Sequence, residues 1–345
     1  MIPEQEIKEM RAMLEKADNP IYLFDDDQDG LCSFLVLWKI TKKGKGIPSK
    51  GLLNRESAEK VKKERADLLI LLDKPVVEQE FLDEIKIPII HIDHHPPLKI
   101  KANNYHYYNP RKENDKDARP TSYWAYQVAK DNLWIAMIGI VSDWCLPELM
   151  NEFREKYPGL LPEVKNPGQA IFETEFGKLC RSFAFALKGK STERSQCLKV
   201  LTRIENPWEI MRQETAKGKF IFKHFEKMEK RYQKIREQAM KVKVKGEIFL
   251  FTYPSSEDSF TSLLSNEIVY RHPEKLVIIG RVKEDTVVMS LRSTKHKLPD
   301  IITKALEGLE GHGGGHDAAC GANVRADQFG TFMERFERIV HEKKK

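Results

Sequence analysis

At 345 residues the chain is long enough for two domains with substantial cores, and its 41% hydrophobic content is ordinary for a globular protein. No apolar run reaches the roughly 18 residues that a bilayer-spanning helix needs, and the polar start MIPEQEIKEM lacks a signal-peptide profile, so the expected location is the cytoplasm, with no membrane partner. A net charge of +6 is too small to mark a nucleic-acid binder by itself, and cysteines at 32, 145, 180, 197 and 320 form neither a disulfide framework nor a CxxC zinc pair.

In chain order, a helix over about 4–17 precedes a strand at 21–24, the acidic turn DDDQDG (25–30) and a helix through 31–43. A second strand near 50–54, a helix near 56–65 and strands at 67–72 and 88–92 continue the alternation, and YHYYNP (105–110) reads as a further strand. TSYWAYQVAK and the apolar WIAMIGIVS before Asp143 read as helices, more helices fill 168–204, and ENPWEI (205–210) is a break. Between Arg212 and Lys245, twelve Lys or Arg face four Glu, with Phe220, Phe222, Phe225, Met228 and Tyr232 interspersed. That pattern predicts a long helix with one packed and one basic face, which is either simply solvated or lines a cleft that tracks phosphates. EIFLFTYP, KLVIIGRV and TVVMSLRS then predict strands, with helices at 259–270, 298–309 and 327–343.

The fold class is therefore α/β: a mostly parallel N-terminal sheet flanked by helices over 1–210, a basic linker helix over 211–242, and a smaller α/β domain over 243–345.

The chemistry concentrates where apolar runs end. IYLF leads into Asp25, Asp27, Asp29 and Gly30; DLLILL leads into Asp73; IPIIHI leads into Asp93, His94 and His95; WIAMIGIVS leads into Asp143. Residues just past the carboxyl ends of parallel strands converge on one crevice, so these remote carboxylates are expected to meet. Alone, DDDQDG is equally an acidic turn or helix cap, and Asp73 a turn residue. Three imidazoles and a carboxylate within HIDHH exceed what a satisfied core needs. Crowded carboxylates repel unless something positive joins them, and an oxygen-rich set with one or two imidazoles suits manganese or magnesium better than structural zinc.

The ordered set DxDxDG (25–30), Asp73, DHH (93–95) and GIVSD (139–143) resembles the four motifs of the DHH phosphoesterase superfamily, which includes RecJ exonucleases and NrnA-type nanoRNases. GHGGGHDAACGA (311–322) resembles the glycine-rich signature of the DHH-associated substrate-binding domain, and VVMSLRS (287–293) its strand-plus-arginine motif. Many relatives carry histidine in the first motif where this chain has Asp25, which leans the match toward RecJ-like members. The resemblance implies two divalent cations, manganese first and magnesium as alternative, held by Asp25, Asp27, Asp29, Asp73, His94 and Asp143, with Asp73 bridging. It implies that His95 acts nearest the substrate and that Asp93 orients a histidine, with His91 doing the same or packing. In the C-terminal domain, Gly313, Gly314, Gly315 and His316 of a glycine-rich loop, with Arg292, are expected to hold a phosphate, the following AACGANV entering a helix N-terminus. Phe251 and Tyr253 are expected to serve as core or strand residues rather than as stacking platforms.

The implied activity is release of mononucleotides from single-stranded or short RNA or DNA. Two alternatives stand beside it: a small-nucleotide phosphatase or phosphodiesterase acting on 3′-phosphoadenosine phosphate or cyclic dinucleotides, and a non-catalytic replisome subunit. Replication or repair proteins are the partners implied by the last, and the oligomeric state is left open.

Overall fold

Five short apolar segments of the N-terminal half form one parallel sheet in the computed structural model, which describes residues 1–244, 246–255 and 258–342. The helix α1 (Glu4–Lys16) leads into β1 (Pro20–Asp25), α2 (Gln28–Thr41), β2 (Lys45–Ser49), α3 (Arg55–Lys62), β3 (Leu68–Leu72), α4 (Gln79–Glu84), β4 (Ile89–Ile92) and β5 (Tyr105–Tyr108). The strand order is β2-β1-β3-β4-β5, and every neighbouring pair is parallel. Strand side chains alternate between two cores, as a sheet covered on both faces requires. Tyr22, Phe24, Ile70, Leu72, Ile90 and Ile92 enter a large core with α1, α2 and two further helices, α5 (Thr121–Ala129) and α6 (Leu133–Ser142). Ile21, Leu23, Leu69, Leu71 and Ile89 enter a smaller one with α3 and α4.

Helix α6 is buried from Leu133 through Val141, which is why its sequence is apolar all round rather than amphipathic. Beyond it lie α7 (Met150–Lys156), α8 (Pro167–Glu173), α9 (Glu175–Ala186), α10 (Ser191–Leu201), the short α11 (Trp208–Met211) and α12 (Ala216–Ala239). The second strand lies at 45–49, ahead of the 50–54 expected from sequence. Gly44 turns the chain early at φ +83°, and the predicted stretch contributes only an isolated bridge between Leu53 and Val77.

The chain divides into two compact units, Met1–Phe225 and Glu226–Lys345, with the boundary inside α12. Along α12, Ile221, Phe225, Met228 and Tyr232 are buried at spacings of four, three and four, while Lys219, Lys223, Lys227, Lys230 and Lys234 lie off that stripe. Phe220, expected on the packed face, falls one position off it and is 38% exposed. Lys245, the last of the basic residues counted in sequence, lies outside the described residues.

The second unit holds β6 (Ile248–Pro254), α13 (Thr261–Arg271), β7 (Leu276–Lys283), β8 (Thr286–Arg292), α14 (Leu298–Leu306), β9 (Gly311–His316), β10 (Ala319–Arg325) and α15 (Phe329–Glu342). Its sheet runs β6-β7-β8-β10-β9, with only β6 and β7 parallel. Two expectations are corrected here. The glycine-rich segment is not a loop but the edge strand β9, and AACGANV does not enter a helix but forms β10 beside it. Gly311–His316 pairs antiparallel with Ala319–Val324, so alternate residues of the glycine segment spend their N–H and C=O groups on the ladder, while those between face outward from the sheet edge. Phe251 and Tyr253 are buried in β6.

Candidate metal centre and catalytic site

Every predicted residue of the N-terminal site except Asp29 and Asp143 sits at or just beyond the carboxyl end of a strand, where open parallel sheets place their ligands. Asp25 ends β1, Asp73 follows β3, and Asp93, His94 and His95 follow β4. Ladder bonds from Asp73 N to Ile92 O and from Asp93 N to Tyr108 O carry the register one residue past the strands. Asp73 itself adopts φ +59°, a left-handed conformation unusual outside glycine and asparagine. Asp27 caps α2, its Oδ1 accepting from Gly30 N at 3.0 Å, and Asp29 lies in the first turn of the same helix. Gly30 is needed there because a Cβ would stand 2.5 Å from Asp25 O. Asp143 is contributed by the carboxyl end of α6.

Asp29, His94 and Asp143 each offer a ligand atom within 4.8 Å of the others, and so do Asp73, His94 and His95. His94 is shared. Its Nε2 lies 3.4 Å from Asp73 Oδ1 and 3.5 Å from Asp143 Oδ2, while its Nδ1 lies 3.2 Å from Ala118 O. A carbonyl can only accept, so Nδ1 carries a proton, which leaves Nε2, the nitrogen facing the carboxylates, as the one that a metal would take in place of a proton. Asp29 is held rigidly: Thr121 N donates to Oδ2 at 2.7 Å, and Ser122 N at 2.9 Å and the Ser122 hydroxyl both donate to Oδ1. Thr121 Oγ1 also donates to Asp73 Oδ1 at 3.3 Å.

Electrostatically the cluster is short of positive charge. Burial, then Asp73 and Asp25, push the Asp27 carboxyl well above its ordinary range. Burial, with Asp73 and Asp143, raises Asp29 to about 7, and burial raises Asp143 to about 6 against the opposing pull of His94. Asp73 is held low: its burial works upward, but the hydrogen bond and charge of His94, with the charge of His95, outweigh it. In return His94 is raised well above its usual value, its burial overcome by Asp73 and Asp143. Carboxylates forced to share protons in this way are the donor set that a divalent cation satisfies, so the residues fit an oxygen-rich metal site.

His95 and Asp93 form a second layer. Asp93 has no exposed surface; its Oδ1 meets His95 Nδ1 at 2.8 Å, and its Oδ2 accepts from Tyr107 Oη at 3.2 Å and Asn109 Nδ2 at 3.3 Å. His91 packs instead, its Nδ1 2.7 Å from Tyr105 Oη and its ring against Tyr107.

Asp25 is engaged differently from the other acidic residues. Its Oδ1 accepts from Lys74 Nζ at 2.7 Å. Lys74, Thr121, Ser122, Tyr107 and Asn109 are site residues that sequence reasoning does not single out; the one available signal is a lysine directly after Asp73 at an otherwise apolar strand end. Trp144, directly after Asp143, is also unanticipated: it is 40% exposed at φ +61°. Asp26 turns away to Arg194 at 2.7 Å and Lys50 at 3.0 Å.

In the second unit, Arg292, Ala319 and His316 are laterally in register across β8, β10 and β9. The Arg292 guanidinium donates to Asn266 Oδ1 at 2.6 Å and Ser262 Oγ at 3.1 Å, and burial lowers its pKa to about 10. Gly313, Gly314 and Gly315 lie along the exposed strand β9 leading to His316.

Among the described residues no helix is long and apolar enough to cross a membrane. No curated protein matches the chain. Among solved structures, RecJ from Thermus thermophilus in complex with Mn2+ is 14% identical with a TM-score of 0.69, covering 99% of this chain, which spans 55% of that longer one. An exonuclease RecJ bound to manganese is 15% identical with a TM-score of 0.65, covering 99% of this chain and 95% of that one. A pGpG-specific phosphodiesterase from Vibrio is 13% identical with a TM-score of 0.52, covering 94% of this chain and 98% of that one. At these identities the likeness establishes the fold. Family models match separately: the DHH family N-terminal domain over residues 21–146 and the DHHA1 domain over 262–342, together more than half of the chain. The chain belongs to the DHH superfamily of phosphoesterases and carries a C-terminal DHHA1 domain.

Proposed function

We propose that this protein is a metal-dependent phosphodiesterase that releases mononucleotides from the ends of single-stranded or short RNA or DNA. The observation that carries the reading is the convergence of Asp29, Asp73, His94 and Asp143 from strand ends, a helix start and a helix end onto one small volume. Asp25, Asp27, Asp29, Asp73, His94 and Asp143 would hold the cations, Asp73 being the carboxylate that both His94 and His95 approach. A bound pair of divalent cations, manganese in the first instance, supplies a water acidified to near neutrality and neutralises charge on the phosphoryl oxygens. RecJ has been solved with Mn2+ and with Mg2+, which supports a divalent cation at this site.

The chain's own residues do the rest. Thr121 and Ser122 lock the Asp29 carboxylate so that it cannot swing out of the site. Asp93 fixes the His95 ring, leaving the imidazole to pass a proton to the departing oxygen of the substrate. The exposed Trp144 indole offers a face on which a terminal base can stack. Arg292, Gly313, Gly314, Gly315 and His316 bind a substrate phosphate: a guanidinium takes phosphate bidentately, and a glycine edge lets backbone amides approach.

The test is digestion of end-labelled RNA and DNA oligonucleotides of two to twenty residues, with and without manganese. Mononucleotide release from the shorter oligomers supports the reading. Hydrolysis confined to 3′-phosphoadenosine phosphate or a cyclic dinucleotide would replace it with the small-nucleotide alternative, and no metal-dependent hydrolysis of any of these would end it.

A further inference from the structure

His94 takes its orientation from the backbone carbonyl of Ala118, 3.2 Å from its Nδ1. That carbonyl belongs to neither helix nor strand. It lies in the connection that leads into α5, and Ala118 itself is exposed. Connections of this kind are the most variable parts of a fold, whereas the group that orients a metal ligand has to be held to a fraction of an ångström.

Asp117 supplies what the connection lacks. Its side chain is only 6% exposed; Oδ1 accepts from the backbone N–H of Arg119 at 3.3 Å and from Arg119 Nε at 2.8 Å, and Oδ2 accepts from Arg119 Nη2 at 2.6 Å, with the Met1 α-amino group 3.4 Å away. The Asp117 N–H donates to Asn114 O at 2.8 Å. Arg119 in turn is seated on α5. Its Nη1 donates to Tyr123 Oη at 2.9 Å, and its guanidinium lies 4.6 Å and 4.7 Å from the ring centres of Tyr123 and Trp124, both buried.

The Arg119 N–H and the Ala118 C=O are the two ends of one planar peptide unit and, in the trans form, point in opposite directions. Anchoring the N–H on Asp117 therefore aims the carbonyl the other way, at His94 Nδ1. Rotation of this unit would bring the N–H toward Nδ1 instead. The ring would then have to offer a lone pair there and keep its proton on Nε2, the nitrogen that a metal needs.

We infer that Asp117 and Arg119 are positioning residues of the metal centre: their forked ion pair, closed across Ala118, fixes the peptide unit that keeps Nε2 of His94 open to a metal. The inference rests on the metal-dependent reading above.

Calorimetric titration of the full chain with Mn2+, together with the nitrogen modulation that a coordinated imidazole imposes on the electron spin echo of bound Mn2+, tests it without recourse to activity. Asp117→Asn and Arg119→Gln, each checked for an unchanged fold by circular dichroism, should bind Mn2+ about tenfold or more weakly and show a weakened modulation at saturating Mn2+. Lys116→Ala, at an exposed position of the same connection, should match the wild type. His94→Gln is the reference and should lose both affinity and modulation. Affinity within about threefold of wild type in Asp117→Asn and Arg119→Gln, an undiminished modulation in them, or an equal loss in Lys116→Ala, with His94→Gln still defective, overturns the role of the ion pair and leaves the metal reading standing. Wild-type affinity and modulation in His94→Gln overturns the place of His94 in the metal reading and this inference with it.

Discussion

Nδ1 of His95 lies 2.8 Å from Oδ1 of Asp93, a carboxylate that is wholly buried and also takes hydrogen bonds from Tyr107 and Asn109. Because the Asp93 side chain is anchored by β5 and the residue after it, the imidazole has one orientation rather than two. Asp93→Asn keeps the volume and removes the charge. It should lower kcat by about 10–100-fold while leaving Mn2+ affinity within a few-fold, since Asp93 reaches the cluster only through His95. Steady-state kinetics with a dinucleotide, paired with calorimetry of metal binding, separates the two. An equal loss in affinity would place Asp93 among the ligands instead.

Asp73 is the residue whose charge the cluster most depends on, being the carboxylate that both His94 and His95 approach. It also holds φ +59°, which asparagine tolerates better than alanine. Asp73→Asn should therefore fold normally by circular dichroism yet lose hydrolysis by about a thousandfold or more. Activity within tenfold of wild type at saturating manganese would refute its place in the centre.

What the sequence discloses follows from where the physics is local. Strand ends are visible because IYLF, LLILL and IPIIHI are too apolar to lie anywhere but between two covering layers, and the Asp or His that follows each has to emerge at one edge. Lys74 escapes notice because a lysine after a strand reads as solvated; only its partners Asp25, on the adjacent strand β1, and Ser49, on β2 beyond it, let it be buried. Thr121 and Ser122 carry no motif, since what qualifies them is that the start of α5 meets the start of α2. The GHGGGH segment misleads for a related reason: glycine signals conformational freedom locally, but pairing with β10 decides what is done with it.

Gly139, the first residue of GIVSD, gains a reason from packing. A Cβ there would sit 2.5 Å from Ser122 Oγ and 2.8 Å from Cys32 Cβ. Gly139→Ala must push α5 or α2 aside, at a cost of about 1–3 kcal/mol. Since Ser122 holds Asp29, the displacement should also weaken Mn2+ binding, by about tenfold or more. Urea unfolding and calorimetry together check this. Loss of stability with unchanged affinity would mean that the site absorbs the shift, and that Ser122 does not set the position of Asp29.

His91 lets the fold be probed apart from the metal. Burial, opposed only in part by Asp93, lowers its pKa to about 4 from an ordinary 6.5. Between those values the unfolded chain takes up a proton that the native chain refuses, so this residue contributes stability that is complete above about pH 6.5 and lost as pH falls toward 4. His91→Gln retains a polar partner for Tyr105 Oη but does not titrate. The site carboxylates raised by crowding act in the opposite sense and are common to both proteins, so they cancel in the comparison. Urea midpoints at pH about 7.5, about 5.5 and about 4.5 should therefore show the wild type losing stability relative to His91→Gln by a few kcal/mol across the window. Parallel pH profiles would show that His91 is protonated as readily in the folded protein as in the unfolded chain, and that its burial is looser than the contacts with Tyr105 and Tyr107 require.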